Sequence, residues 1–87
     1  MKYRSRTEIV ALILESLNTK ATKTRLMYNA LLSYAQLKEY LAYLQGNELV
    51  KYDPSTRLYG LTEKGRQFLK AYSKISGIIS QRESLFI

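Results

Sequence analysis

The side chains able to do chemistry in this sequence are concentrated in one stretch and in the cations around it. Residues 33–47, SYAQLKEYLAYLQGN, hold an amide (Gln36), a carboxylate (Glu39) and the hydroxyls of Ser33, Tyr34, Tyr40 and Tyr43, all groups that donate or accept hydrogen bonds. Lys20, Lys23, Arg25, Lys51 and Arg57 lie before and after this stretch and suit phosphate or carboxylate oxygens, although any one of them alone could be a solvated surface charge. Catalysis has no comparable set. There is no histidine and no cysteine, the seven Asp and Glu are scattered, and Gly46, Gly60, Gly65 and Gly77 form no phosphate-cradling run. The chain is therefore expected not to be an enzyme, and no catalytic residue, metal site or cofactor is assigned.

Charge narrows the partner. Fourteen Lys and Arg against seven Asp and Glu leave a net charge of +7, which in a small domain favours a polyanion, with nucleic acid the leading candidate. A chain of 87 residues buries only roughly 60 to 65% of its unfolded surface, so oligomerisation would help it. The basic start MKYRSRTE precedes only a short amphipathic run, so neither a signal peptide nor a membrane span is expected. A cytoplasmic location follows.

The elements that must position these groups are well punctuated. Ser5 and Glu8 have capping-box spacing, and Ile9, Val10, Leu12, Ile13, Leu14 and Leu17 give a first helix running to Asn18. After the loop NTKATK, Thr22 or Thr24 caps a short helix with Leu26 and Met27 or Ala30 inward, and Asn29 takes the left-handed conformation that ends it. Ser33 and Gln36 form a second capping box, Leu32 and Leu37 a hydrophobic staple, and Leu37, Leu41 and Leu44 one apolar stripe. The opposite face carries Ala35, Gln36, Glu39, Ala42 and Tyr43, with Tyr34 and Tyr40 on its flanks. Residues 49–52 and 57–61 read as strands joined by a type I turn at 53–56 with Pro54 in second position, and Thr62 caps a last helix. The expected fold is mainly α with a small β-hairpin (α+β).

Helix, helix, helix, hairpin, helix are the parts of a winged helix-turn-helix. The segments KTRLMY, LSYAQLKEYL and LTEKGRQFL, within a match over about four fifths of the chain, resemble the archaeal winged-helix DNA-binding family. The likeness is greatest to its 10a-type chromatin proteins, in which a long C-terminal helix pairs as an antiparallel coiled coil. The chain departs from them before the first strand, where many relatives have Gly and this sequence has Glu48, with Gly46 two residues earlier. The resemblance implies a DNA-binding domain over residues 1–62 and a dimerisation helix over 63–87. It also implies a third helix lying in the major groove of double-stranded DNA.

On that geometry Lys23, Arg25, Ser33, Tyr34, Gln36, Glu39, Tyr43, Lys51 and Arg57 are the DNA-binding residues. Gln36 is the expected reader, bonding bidentately to adenine, and Arg57 the expected contact of the hairpin with DNA. Tyr40 is assigned to packing, Lys2, Lys70 and Lys74 to solvated surface, and Arg4 and Arg6 to neither role. Lys38 and Glu39 leave the third helix neutral, so affinity must come from the cations beside it.

In the last helix Phe68, Tyr72, Ile75, Ile78 or Ile79, and Leu85 or Phe86 recur near heptad spacing. Helical throughout 63–87 it would be roughly 37 Å long, and its outer half would need a second copy to bury it; the rival is a helix stopping near Ser76, weakened by Gly77. A homodimer is therefore expected. It would be a nucleoid-associated transcriptional regulator or a chromatin-type architectural protein, with no small-molecule effector implied. The alternative is a winged-helix protein-interaction module that never meets DNA.

Overall fold

The computed structural model describes residues 4–86, and the side chains among them except at 76 and 78–86. The elements are α1 (Arg6–Glu15), α2 (Lys23–Ala30), α3 (Tyr34–Gly46), β1 (Val50–Asp53), β2 (Leu58–Leu61) and α4 (Glu63–Phe86). Both expected capping boxes form. At α1 the Ser5 hydroxyl accepts from the Glu8 N–H at 3.0 Å, and Glu8 Oε1 accepts from the Ser5 N–H at 2.8 Å. The helix ends at Glu15, short of Asn18, because the N–H groups of Leu17 and Asn18 turn to the carbonyls of Leu14 and Glu15 at 3.0 and 3.2 Å, tightening the last turn.

Thr22, not Thr24, caps α2, its Oγ1 accepting from the Arg25 N–H at 3.3 Å. Asn29 stays helical, against expectation, and Leu31 takes the left-handed conformation at φ 55°. Packing explains the change: Ala30 is fully buried, so the helix must run one residue further to place it. The Leu32 N–H then reaches the Met27 carbonyl at 3.1 Å and the Leu31 N–H that of Tyr28 at 3.3 Å, which is a Schellman motif with Leu32 buried behind it. The end of α3 repeats the device. Leu49 and Glu48 donate to the carbonyls of Leu44 and Gln45 at 2.9 and 3.0 Å, Leu49 is buried, and Glu48 is left-handed at φ 62°. The position where relatives were expected to carry Gly is thus the one that favours it.

The core is one cluster. Val10, Ile13 and Leu14 from α1 and Leu17 just beyond its end meet Leu26 and Ala30 of α2, the Leu37, Leu41 and Leu44 stripe of α3, and Leu49, Val50, Tyr59 and Leu61. The hairpin pairs Val50 with Leu61, Lys51 with Gly60, Tyr52 with Tyr59 and Asp53 with Leu58. Its turn differs from the type I form expected at 53–56. It closes one residue later, with the Arg57 N–H donating to the Asp53 carbonyl at 2.7 Å and Arg57 left-handed at φ 60°, so Arg57 leaves the strand for the loop. Ala21 pairs with Tyr59 on the other edge through bonds of 3.1 and 2.8 Å, fixing the α1–α2 loop to the hairpin.

The start of α4 locks against the end of α3. Thr62 Oγ1 accepts from the Gly65 N–H at 3.0 Å and donates to the Glu48 carbonyl at 2.6 Å, while the Thr62 N–H donates to the Leu49 carbonyl at 3.2 Å. Phe68 and Leu69 pack on the core, so the first turns of α4 continue the domain across the expected boundary at 62. Tyr72 stacks on Phe68 at 6.3 Å, and Ile75 is 55% exposed. The side chains of Ile78, Ile79, Leu85 and Phe86, assigned above to a dimer seam, lie outside the described residues.

A methyl group at Gly65 would lie 2.3 Å from the Leu49 carbonyl oxygen, a backbone atom that cannot swing aside. Gly65→Ala should therefore cost about 1–3 kcal/mol in urea denaturation. Glu48→Gly should go the other way, relieving a left-handed strain of about 1–2 kcal/mol less the entropy that glycine loses on folding. A destabilised Glu48→Gly would mean that the Glu48 side chain contributes more than its backbone strain takes away.

Candidate nucleic-acid interface

Burial of Leu37, Leu41 and Leu44 turns the other side of α3 outward. Ala35, Gln36, Glu39 and Ala42 are exposed, as are Tyr34 at 52% and Tyr43 at 54%. At the head of the helix the Ser33 hydroxyl accepts from the Gln36 N–H at 3.2 Å, and Gln36 Oε1 accepts from the Ser33 N–H at 3.0 Å. Gln36 is therefore both a cap and a surface group.

The tyrosines separate into different settings. Lys23 Nζ stands 5.1 Å from the ring centre of Tyr34, bringing the start of α2 beside the start of α3 and half-burying the Lys23 chain. Tyr40 is half-buried against the core with the Arg6 guanidinium 5.7 Å from its ring. Tyr43, about half a turn around the helix from Tyr34, lines a groove of about 410 Å³ with Arg6, Val10, Tyr40, Leu49 and Phe68. Tyr34 and Tyr43 thus stand on opposite flanks of the outer face.

The cations fall on either side of that face. Arg25 is exposed in the first turn of α2. Lys20, carried to the hairpin by the Ala21 bridge, and Lys51 on β1 both lean over Gly60, where an added methyl would meet Lys20 Cγ at 3.6 Å and Lys51 Cε at 3.7 Å. Arg57 stands exposed at the hairpin tip. None of Lys20, Lys23, Arg25, Lys51 and Arg57 has a carboxylate within ion-pairing distance among the described residues. Arg4 has a role that no local sequence signal announced: its guanidinium donates to the carbonyls of Ala30 and, at 3.1 Å, Leu31, capping the C-terminal end of α2.

At the tip Asp53 Oδ1 accepts from the Ser55 hydroxyl at 2.7 Å and the Ser55 N–H at 3.0 Å. These bonds, the hydroxyl's first, hold the exposed Asp53 carboxyl below its ordinary range. Among the described residues there is no cluster of His, Cys, Asp or Glu that could hold a metal, and no helix long and apolar enough to cross a membrane.

A family model described as winged helix-turn-helix matches residues 3–80. The chain belongs to the winged helix-turn-helix family. Within it, α2 and α3 are the helix-turn-helix pair and β1–β2 the wing. Among solved structures the chain is similar to Sso10a-2, a DNA-binding protein from Sulfolobus solfataricus, with 28% identity over 95% of this chain and 86% of that one and a TM-score of 0.77. It also shares the fold of Bordetella bronchiseptica BpsR, with 20% identity over 85% of this chain and a TM-score of 0.72. Lactococcus lactis ZitR, solved in complex with DNA, has 20% identity over 98% of this chain and a TM-score of 0.70. The chain covers 61% of BpsR and 62% of ZitR. A search of curated protein sequences found no match.

The wing tip should respond to acid. Because the folded Asp53 pKa is depressed, its hold on Ser55 is present above the ordinary carboxylate range and is lost as pH falls through the folded value. The Ser55 amide resonance should accordingly titrate below the pH at which a free Asp does. Titration at the free value would show that the tip turn does not depend on this carboxylate.

Proposed function

We propose that this winged helix binds double-stranded DNA with α3 in the major groove and the wing over the adjacent minor groove, as a homodimer joined through the outer part of α4. The observation that carries the reading is an uncovered, nearly neutral α3 face flanked by cations that no carboxylate of the described residues neutralises. Its likeness to Sso10a-2, a DNA-binding protein, supports the same reading. Ser33, Tyr34, Gln36, Glu39 and Tyr43 would meet the groove. Lys23 and Arg25 from α2, with Lys51 and Arg57 from the wing, would meet phosphates on either side.

Specificity and affinity then come from different elements. A neutral α3 choosing among base edges, held by cations elsewhere, favours modest specificity and fits a nucleoid-associated protein between regulator and architectural roles. For the dimer, the 24-residue α4 is about 36 Å long at 1.5 Å per residue, in a molecule 48 Å in its longest extent. Phe68 faces its own core, so the seam would run from Tyr72 and Ile75 through Ile78, Ile79, Leu85 and Phe86. A protein partner is the second reading, favoured by Tyr28 and Leu31, which are 76% and 78% exposed at the end of α2.

Gel shifts on mixed-sequence duplexes over a salt series test the proposal. Affinity should fall steeply with salt, and Arg57→Ala and Lys51→Ala should each weaken every duplex alike and lower the salt slope by about one. Absence of a shift at low salt would leave the protein-partner reading. Sedimentation at micromolar concentration should give a dimer that Ile75→Glu dissociates; a monomeric parent would remove the α4 seam.

A further inference from the structure

We propose that Lys20 and Lys51 act as a pair that grips one backbone phosphate of duplex DNA over Gly60; the inference rests on the reading that this winged helix binds DNA, and adds to it a residue outside both the helix-turn-helix and the wing. The register sets the two side by side. Lys51 of β1 is opposite Gly60 of β2, and on the other edge Ala21 is opposite Tyr59, so the antiparallel row runs Lys51, Gly60, Lys20. Tyr59 and Leu61 are buried in the core, and alternation along the strand turns the Gly60 position to the outer face. Neighbouring strands lie about 4.8 Å apart, so a side chain at the middle position would stand between the two lysines. Glycine leaves that space open and both stems lean into it. A methyl group on Gly60 would meet Lys20 Cγ at 3.6 Å and Lys51 Cε at 3.7 Å, and no other atom comes as near. Gly60 is accordingly buried while both lysines remain exposed, their stems covering the glycine.

Such a row calls for an anion. Nζ lies one bond beyond Cε in Lys51 and three bonds beyond Cγ in Lys20, so both ammonium groups can be brought to a single oxyanion seated above Gly60. Each ammonium only donates and phosphate oxygens accept. Like charges side by side on a sheet repel, and neither lysine has a carboxylate within ion-pairing distance among the described residues. The pair lines a groove of about 230 Å³ with Tyr52, Asp53, Leu58 and Gly60. Asp53 Oδ1 is turned to the Ser55 hydroxyl and N–H, and two cations against one carboxylate leave the groove positive. A lone exposed lysine gains little from one solvent-screened contact. Two on one phosphate fix its place, and losing either loses the contact.

Counterion release counts phosphates neutralised, not lysines, and so separates one shared phosphate from two. Affinities on a mixed-sequence duplex are measured over a salt series for the full chain, Lys20→Ala, Lys51→Ala, the double variant and Gly60→Val. Each single lysine variant should lose about tenfold in affinity and lower the salt slope by about one, and the double variant should lower it no further. Gly60 has no positive φ and valine suits a strand, so Gly60→Val should keep the parent's thermal midpoint and its charge of +7. By parting the stems it should nevertheless bind as the single lysine variants do. Should Gly60→Val unfold, the lysine variants decide alone. A double variant that lowers the slope by about two would assign two separate phosphates and overturn the pairing. A folded Gly60→Val that binds as the parent would also overturn it. So would a Lys20→Ala that changes nothing while Lys51→Ala and Arg57→Ala weaken binding, a result that leaves DNA binding in place. A parent that binds no duplex at low salt would overturn both.

Discussion

Leu49 ties three elements together through its backbone. Its N–H closes the end of α3 on Leu44, its carbonyl receives the N–H of Thr62, and Gly65 of α4 comes so close that no β-carbon fits between them. The side chain is buried, so the residue cannot move to relieve either contact. The hairpin therefore leaves α3 at a fixed angle and returns to α4 at a fixed place. Everything outward of this joint inherits its geometry, including the direction of α3 and the position of the wing beside it. The left-handed Glu48 is retained there because the buried Leu49 and the Schellman bonds over-determine its backbone.

That rigidity matters because the outer face of α3 is chemically sparse. Lys38 and Glu39 offset each other, Ala35 and Ala42 are small, and Gln36 is partly used in capping the helix. On the proposed reading such a face would discriminate by the placement of a few donors and rings, not by field strength. The field comes from Lys20 and Lys51 over Gly60, Arg57 at the tip and Lys23 and Arg25 on α2, groups whose spacing depends on the hairpin and the Ala21 bridge. A small domain can separate the two tasks only if its elements hold their relative positions, and the joint at Leu49 is what holds them.

The parts of this fold legible in the sequence are those decided within one turn of chain. Ser5 with Glu8, Ser33 with Gln36, and the Leu37, Leu41 and Leu44 stripe form as their spacing dictates, because cap and core face are local consequences of 3.6 residues per turn. The misplaced features are tertiary. Asn29 is the better left-handed residue by type, yet burial of Ala30 passes that role to Leu31. Arg57 moves out of its strand because the Asp53 side chain organises a wider turn. Arg4 on the carbonyls of Ala30 and Leu31, and Ala21 on Tyr59, join residues far apart in the chain and leave no periodic trace. For the candidate interface, the residue types were legible but their grouping was not. Tyr34 and Tyr43 share a helix and stand on opposite flanks, and Lys20 reaches the wing only through the bridge.

The central claim is that the α3 face and the cations beside it form one surface for duplex DNA. Backbone amide chemical shifts recorded while a short mixed-sequence duplex is titrated into the protein test it most directly. Shifts should group at the start of α2, along the exposed face of α3 as far as Tyr43 and on the wing from Lys51 to Arg57, with the side of α4 that lines a groove with Asn18 through Arg66, Lys70 and Ser73 unmoved. Shifts concentrated on that side, or confined to Tyr28 and Leu31, would contradict it.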